Sequence, residues 1–516
     1  MSEPIGGDVL IGLGNSFEGG ASAHNKLSGG GGNDTLEGLN GADTLDGGAG
    51  FNFASYAGAT AAVRTSLGIP GDFGRLGDAI GDVYGDGTIQ GLIGSAFNDT
   101  LAGSHDFDNE IRGGDGEDLL LGGDGDDTLM GGRDADTLVG GAGHDFVSYL
   151  DSSVRVVVTL PAGGNGVALG DTFDLIEGLI GSNLDDILVG NGIANTLRGM
   201  GGNDVLTGGA GADRLEGGSE TDTVDYSGTT GAVTINLAAG AGSGNDAQGD
   251  TYSGIENAIG SAFGDTFFGN GAANVFRGGL GNDTYYIGAG DVIVEGAGGG
   301  IDKIVTDANF TLGAEIEDLE GTGGALVLTG NGLNNTINGN AAGNWIDGGI
   351  GADTMAGGAG DDTYVIDNAG DRIVDGQGND SIILTVDYDL SLLPASVRSI
   401  TMAEGLPLNL TGTNGANVLM GNVAANTLKG QGGNDTIYGK AANDKLYGGT
   451  GRDVFVFDTA LHKTRNVDKI YDFKSRDDSI WLDNKVFTKL GSGTEARPKK
   501  FTSDMFVNGT RAQDRE

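Results

Sequence analysis

Along much of this chain an apolar residue recurs every nine positions, with small and polar residues between. From Gly113 to Ser148 it falls at Leu120, Leu129, Leu138 and Val147, each at the centre of a three-residue segment such as Thr128–Met130. Successive side chains of a strand point to opposite faces, so a triplet with one apolar centre reads as a short β-strand with one inward side chain. The six residues ahead of each triplet open on two glycines and carry Asp at the sixth position, as in GGDGED and GGDGDD. Glycine at the first, second and fourth positions suits backbone that must adopt φ > 0 or approach a ligand closely. A unit this short cannot bury a hydrophobic face alone, so it must stack on its own copies.

The run GGDGEDLLL, GGDGDDTLM, GGRDADTLV, GGAGHDFVS resembles the repeats-in-toxin (RTX) family, whose unit is G-G-x-G-x-D-x-U-x with U apolar and which is linked to calcium. The resemblance implies an all-β fold: a parallel β-roll, or β-solenoid, in which six residues turn, three form a strand and two repeats complete a coil. Asp118 and Asp136 then stack on one edge, and Asp127 and Asp145 on the other. Neighbouring strands lie about 4.8 Å apart. Two ionised carboxylates at that spacing repel by about 3 to 4 kcal/mol at an effective dielectric near 20. A hard divalent cation between coils, taking carboxylates and turn carbonyls as oxygen ligands, reverses that sign. Calcium suits a flexible, carbonyl-rich turn better than magnesium does.

The candidate metal ligands are the sixth-position aspartates Asp34, Asp43, Asp118, Asp127, Asp136, Asp145, Asp204, Asp213, Asp222, Asp283, Asp353, Asp362, Asp435, Asp444 and Asp453. Asp99, Asp186 and Asp265 hold the same position in the turns GSAFND, GSNLDD and GSAFGD, which lack the second and fourth glycines. Asn replaces Asp at 195, 274, 335, 344, 417 and 426. These Asn turns read as structural lead-ins rather than calcium sites.

The repeats fall into blocks at residues 1–56, 94–149, 181–226, 260–287, 330–366 and 412–457, the first of them degenerate before it becomes regular. Strand-rich spacers occupy 57–93, 150–180, 227–259, 288–329 and 367–411, and a capping segment follows at 458–516. The first three spacers share openings in FASYAGAT, FVSYLDSS and TVDYSGTT, then IQGLIGS, IEGLIGS or IENAIGS. Alternation of Val, Thr and Leu within them predicts strands.

Composition changes the picture in three ways. Of 516 residues 104 are glycine, aromatics are scarce and the net charge is −45, which without a counter-ion leans toward disorder. That charge argues against nucleic acid as a partner, and no apolar run approaches a transmembrane span. Cysteine is absent, so neither disulfides nor thiolate metal sites contribute. Half of all Lys and Arg lie after Asp444, most of them in the segment expected to cap the last coils.

No catalytic constellation emerges. His24, His105, His144 and His462 form no H-E-x-x-H, there is no G-x-S-x-G elbow, and the pair Gly439–Lys440 precedes Ala441 rather than completing a P-loop. The expectation is a non-enzymatic, extracellular calcium-binding protein that folds on meeting calcium, with a polysaccharide or cell-surface partner. The alternatives are the repeat portion of a toxin, bacteriocin or carbohydrate-active enzyme. MSEPIGGDVLIGLG lacks a basic region followed by a long apolar core and does not read as a cleaved secretion signal. The resemblance implies type I secretion, although the closing FVNGTRAQDRE is charged and short of the further strands such proteins carry.

Overall fold

A computed structural model describes residues 9–11, 24–68, 76–85, 87–324, 326–388, 390–460, 462, 464–483 and 485–487. The first repeats before His24, apart from Val9–Ile11, and the C-terminal residues from 488, including FVNGTRAQDRE, lie outside the described residues. The described residues are all-β, with single 3-10 turns at Gly77–Ala79, Gly166–Ala168, Asn245–Ala247 and Leu390–Leu392 and no α-helix. Two compact units are formed, Met1–Gly300 and Ile301–Glu516.

The nine-residue period sets the ladder in the first unit. Glu110–Asp115 pairs in parallel with Thr128–Arg133, which pairs with Phe146–Ser148. On the opposite wall Thr100–Ala102, Leu119–Asp124 and Thr137–Ala142 stack in the same way. Two repeats therefore make one coil, and each inward residue lands on its counterpart: Leu120 on Leu138, and Ile111 on Leu129 on Val147. All of these are fully buried. At roughly 1.5–3 kcal/mol per buried aliphatic side chain, this single file of residues supplies the apolar stabilisation of each coil. Phe267, Phe276 and Tyr285 replace the aliphatics further along and pack ring against ring.

The spacers do not leave the ladder. Val157–Thr159 turns back antiparallel through Ala162–Asn165 to Thr172–Asp174, and itself stacks in parallel under Ile187–Val189. Thr234–Asn236, Ala241–Ser243 and Thr251–Ser253 repeat that detour. The sequences GLI and NAI of the shared signatures form the rungs Gly91–Ile93, Gly178–Ile180 and Asn257–Ile259.

The second unit is built alike. Asp318–Gly321, Thr336–Asn340 and Thr354–Gly358 stack on one wall, and Trp345–Asp347, Thr363–Ile366 and Asp380–Leu384 on another. The segment expected to cap the array continues its ladders: Val454–Phe457 pairs with Ser479–Leu482, and Lys445–Tyr447 with Lys469–Ile470.

Candidate metal sites in the glycine turns

Every predicted aspartate is buried, none more than 3 % exposed. Within a turn edge they form columns linked by one repeated hydrogen bond. The Asp118 backbone N–H donates to Asp136 Oδ1 (2.9 Å), Asp127 to Asp145 (2.8 Å), Asp204 to Asp222 (2.8 Å) and Asp435 to Asp453 (3.0 Å). The predicted pairs Asp118–Asp136 and Asp127–Asp145 are thus brought together. Other members stack between unlike neighbours: Asn195 N–H donates to Asp213, Asn335 to Asp353, Asn344 to Asp362 and Asn426 to Asp444.

The second carboxylate oxygen separates the turns into two kinds. In Asp43, Asp118, Asp127, Asp136, Asp145, Asp204, Asp213, Asp222, Asp353, Asp362, Asp435 and Asp453, Oδ2 is buried and accepts no hydrogen bond. In Asp99, Asp186 and Asp265 it accepts one from the backbone N–H of Ser95, Ser182 or Ser261, and the serine hydroxyl binds the carboxylate as well. The Asn turns are saturated in the same way. Asn195 Oδ1 accepts from Asn191 N–H (2.8 Å) while its Nδ2 donates to the Glu177 carbonyl (3.1 Å). Asn274, Asn335 and Asn426 repeat both bonds.

The backbone at the second turn position decides which kind results. In these twelve turns with a leftover oxygen that residue has φ between +64° and +127°: Gly114, Gly123, Gly132 and Gly141, but also Leu39, Met200 and Gln431. Where the oxygen is satisfied, Ser95, Ser182, Ser261, Asn191 or Asn270 stands there without a positive φ, and its N–H is the donor. A left-handed φ costs a non-glycine residue about 1 kcal/mol or more. Its recurrence at Leu39, Met200 and Gln431 marks the geometry of the turn, rather than glycine itself, as what is retained.

These turns fit a hard cation. A Cβ built on Gly122 would lie 2.3 Å from Asp127 Oδ2 and 2.5 Å from the Gly140 carbonyl oxygen. The oxygen-lined space beside the orphaned carboxylate therefore exists only because the first position has no side chain. An unpaired buried carboxylate oxygen is costly unless a cation or a proton compensates it.

Without a cation these carboxyls hold their protons to higher pH than usual. Burial, aided by neighbouring carboxylates and opposed by the donated amide, pushes Asp118 and Asp127 up to about 7, Asp136 to about 8, and Asp145 to about 6. Asp204, Asp213 and Asp435 rise to about 7, again by burial first. A folded-state pKa above the unfolded value adds stability that is complete below the unfolded pKa and is lost as pH rises through the folded one. The metal-free chain is therefore expected to hold more strand structure at pH 5 than at pH 8. Circular dichroism in chelator checks this, and equal spectra would contradict it.

Sequence reasoning missed how the columns end. Asp136 N–H donates to Asp171, Asp213 to Asp250 and Asp43 to Asp82, and the second oxygen of each acceptor is taken by a tyrosine hydroxyl: Tyr149, Tyr226 and Tyr56. On the other edge Asp145 N–H donates to Glu177 and Asp222 to Glu256. The signals were present: an S-Y or D-Y pair opening each of these spacers, a later Gly-Asp, and the Gln or Glu of IQGLIGS, IEGLIGS and IENAIGS. Also missed was Asp380, whose buried Oδ2 accepts no hydrogen bond and whose turn, DGQGND, starts with Asp375 in place of glycine.

A family model for the RTX calcium-binding nonapeptide repeat (4 copies) matches residues 19–54, 93–129, 112–147, 189–224, 251–294, 329–364, 411–446 and 420–455. No curated protein matches the chain in a sequence comparison. The matched segments contain the turns in which the second carboxylate oxygen is left over, Asp380 excepted.

Proposed function

From the premise that this chain is an RTX calcium-binding repeat protein, we propose that it is a secreted, non-enzymatic protein whose repeats order when they meet calcium outside the cell. The observation that carries this reading is the row of buried, unpartnered Asp Oδ2 atoms, found, Asp380 apart, in turns whose first position is glycine and whose second residue turns its amide away. The residues that would hold the ion are Asp34, Asp43, Asp118, Asp127, Asp136, Asp145, Asp204, Asp213, Asp222, Asp283, Asp353, Asp362, Asp435, Asp444 and Asp453, with the turn carbonyls beside them. The ion would supply the positive charge that cancels carboxylate repulsion along each column. The metal's binding energy then becomes folding energy.

A protein with no cysteine that is stapled by metal suits an oxidising, millimolar-calcium environment, and type I secretion is the export route this reading carries. Among the described residues no helix is long and apolar enough to cross a membrane. A polysaccharide or cell surface is the partner class the reading carries with it.

Isothermal titration of the full chain with calcium tests it; heat consistent with several equivalents near 10⁻⁴ to 10⁻³ M is expected for extracellular modules. The absence of calcium uptake would falsify it. The two kinds of turn make a sharper version. Asn195→Asp combined with Asn191→Gly exchanges a saturated turn for one with a leftover oxygen and a free second position. One added equivalent of calcium is expected from the pair, and none from Asn195→Asp alone, where the Asn191 amide still occupies the oxygen.

A further inference from the structure

One turn of the second unit departs from the others. Its first position is Asp375, and Asp362, Asp375 and Asp380 each place a carboxylate oxygen within 4.8 Å of the other two. In the regular turns the corresponding place is filled by glycine, as at Gly113 against Asp118 or Gly131 against Asp136. Asp362 and Asp380 are adjacent members of one column, joined by the Asp362 N–H to Asp380 Oδ1 bond of 3.1 Å. Both are 1 % exposed or less; the Oδ2 of Asp362 is buried without a hydrogen bond, and the Ser396 side chain bears on the Asp380 carboxylate.

Asp375 is held in place from two sides. Its Oδ2 accepts from the Tyr364 hydroxyl (2.5 Å), which in turn accepts from the Gly357 N–H (2.7 Å). Its Oδ1 accepts from the N–H groups of Gly376 (2.6 Å) and Gln377 (3.1 Å). No ion pair among the described residues involves any of the three aspartates. Asp375 also lines a cleft of about 610 Å³ together with Ile373, Val374, Gln377, Leu392 and Pro394. Of the three aspartates, Asp375 is the one that faces this cleft.

We infer that Asp362, Asp375 and Asp380 form a three-carboxylate cation site, distinct from the ordinary turns, which takes calcium at lower concentration than those turns do. The inference rests on the reading of orphaned turn oxygens as calcium ligands and goes further, in assigning a rank order. Affinity of an oxygen site for calcium rises with the number of charged ligands and with their rigidity. Here the fixed Asp375 adds a third carboxylate to the two that successive turns supply. This site fills ahead of the ordinary turns beside it and orders the coils around Thr354–Gly358 and Asp380–Leu384 before they load.

The test is calcium uptake by the full chain in chelator-buffered dialysis. Wild type is expected to take up a tight equivalent at a free calcium at least about tenfold below that of the main phase. Asp375→Asn keeps the oxygen that accepts from Gly376 and Gln377 but removes the charge. It should move that one equivalent into the main phase while leaving the total nearly unchanged. Asp375→Gly, which restores the residue found in the other turns, should do the same, with circular dichroism at saturating calcium confirming that both variants fold. The same number of tight equivalents in both variants as in wild type, or none in wild type, overturns the inference while leaving calcium binding by the array intact. Absence of all calcium uptake removes the broader reading as well.

Discussion

Transferred from chelator into millimolar calcium, the full chain is expected to pass from a largely disordered far-ultraviolet spectrum to one dominated by β-structure. The cause is the balance within each coil. One inward aliphatic per strand contributes about 1.5–3 kcal/mol, while fixing the backbone costs about 1–2 kcal/mol per residue. Nine residues share one such side chain, so burial alone leaves the repeat far short. Neighbouring carboxylates in a column add about 3 to 4 kcal/mol of repulsion per ionised pair. At neutral pH the apo fold thus lacks the charge compensation that a bound divalent cation supplies. Titration at pH 7.5 followed at 218 nm checks this. A metal-free chain that is already fully β and melts cooperatively would sink both the prediction and the folding reading behind it.

The second large effect is expected inside the coil. Leu138 is fully buried, with Leu120 below it and Phe173 above it in the ladder. Leu138→Asp removes about 2 kcal/mol of burial and places a carboxylate in the apolar file with no partner, a further cost of several kcal/mol. The total exceeds what a few coils can absorb. Each coil contacts only its neighbours, so the damage should stay local. Limited proteolysis in saturating calcium is expected to open residues 94–149 while 412–457 stays protected. Leu138→Val should be cut like wild type, since it loses only about 1 kcal/mol. Protection of 94–149 in the Asp variant would refute the inward placement.

The ladder was legible in the sequence because its period is strict. Leu120, Leu129, Leu138 and Val147 lie nine residues apart, and two repeats to a coil set Leu120 on Leu138. The buried aspartates followed from the same spacing. What the period could not show was where a column stops, because the spacers stretch the step. Asp118 reaches Asp136 over 18 residues, but Asp136 reaches Asp171 over 35, Asp213 reaches Asp250 over 37 and Asp43 reaches Asp82 over 39. Tyr149, Tyr226 and Tyr56, read only as the residues at which a block gives way to a strand-like spacer, turn out to close the edge by occupying the oxygen that the array leaves open. The distinction between saturated and open turns was half visible. The Asn and Ser residues could be seen, but the direction of the second amide depends on φ, and Leu39, Met200 and Gln431 adopt the left-handed value against their own preference. Asp380 escaped notice because Asp375 disguises the glycine pair by which the other turns announce themselves.

The amide-to-carboxylate column gives the molecule a grain. Each turn borrows its acceptor from the coil that follows in sequence, as Asp118 does from Asp136 and Asp435 from Asp453. A cut between two coils is therefore not symmetric. The piece that ends at the cut keeps a backbone donor whose acceptor has departed, while the piece that begins there keeps a carboxylate oxygen that water satisfies readily. Wood splits along its fibres and resists across them. This array distinguishes instead between its two ends, so that a fragment's stability depends on which terminus was trimmed, even when the number of coils lost is the same.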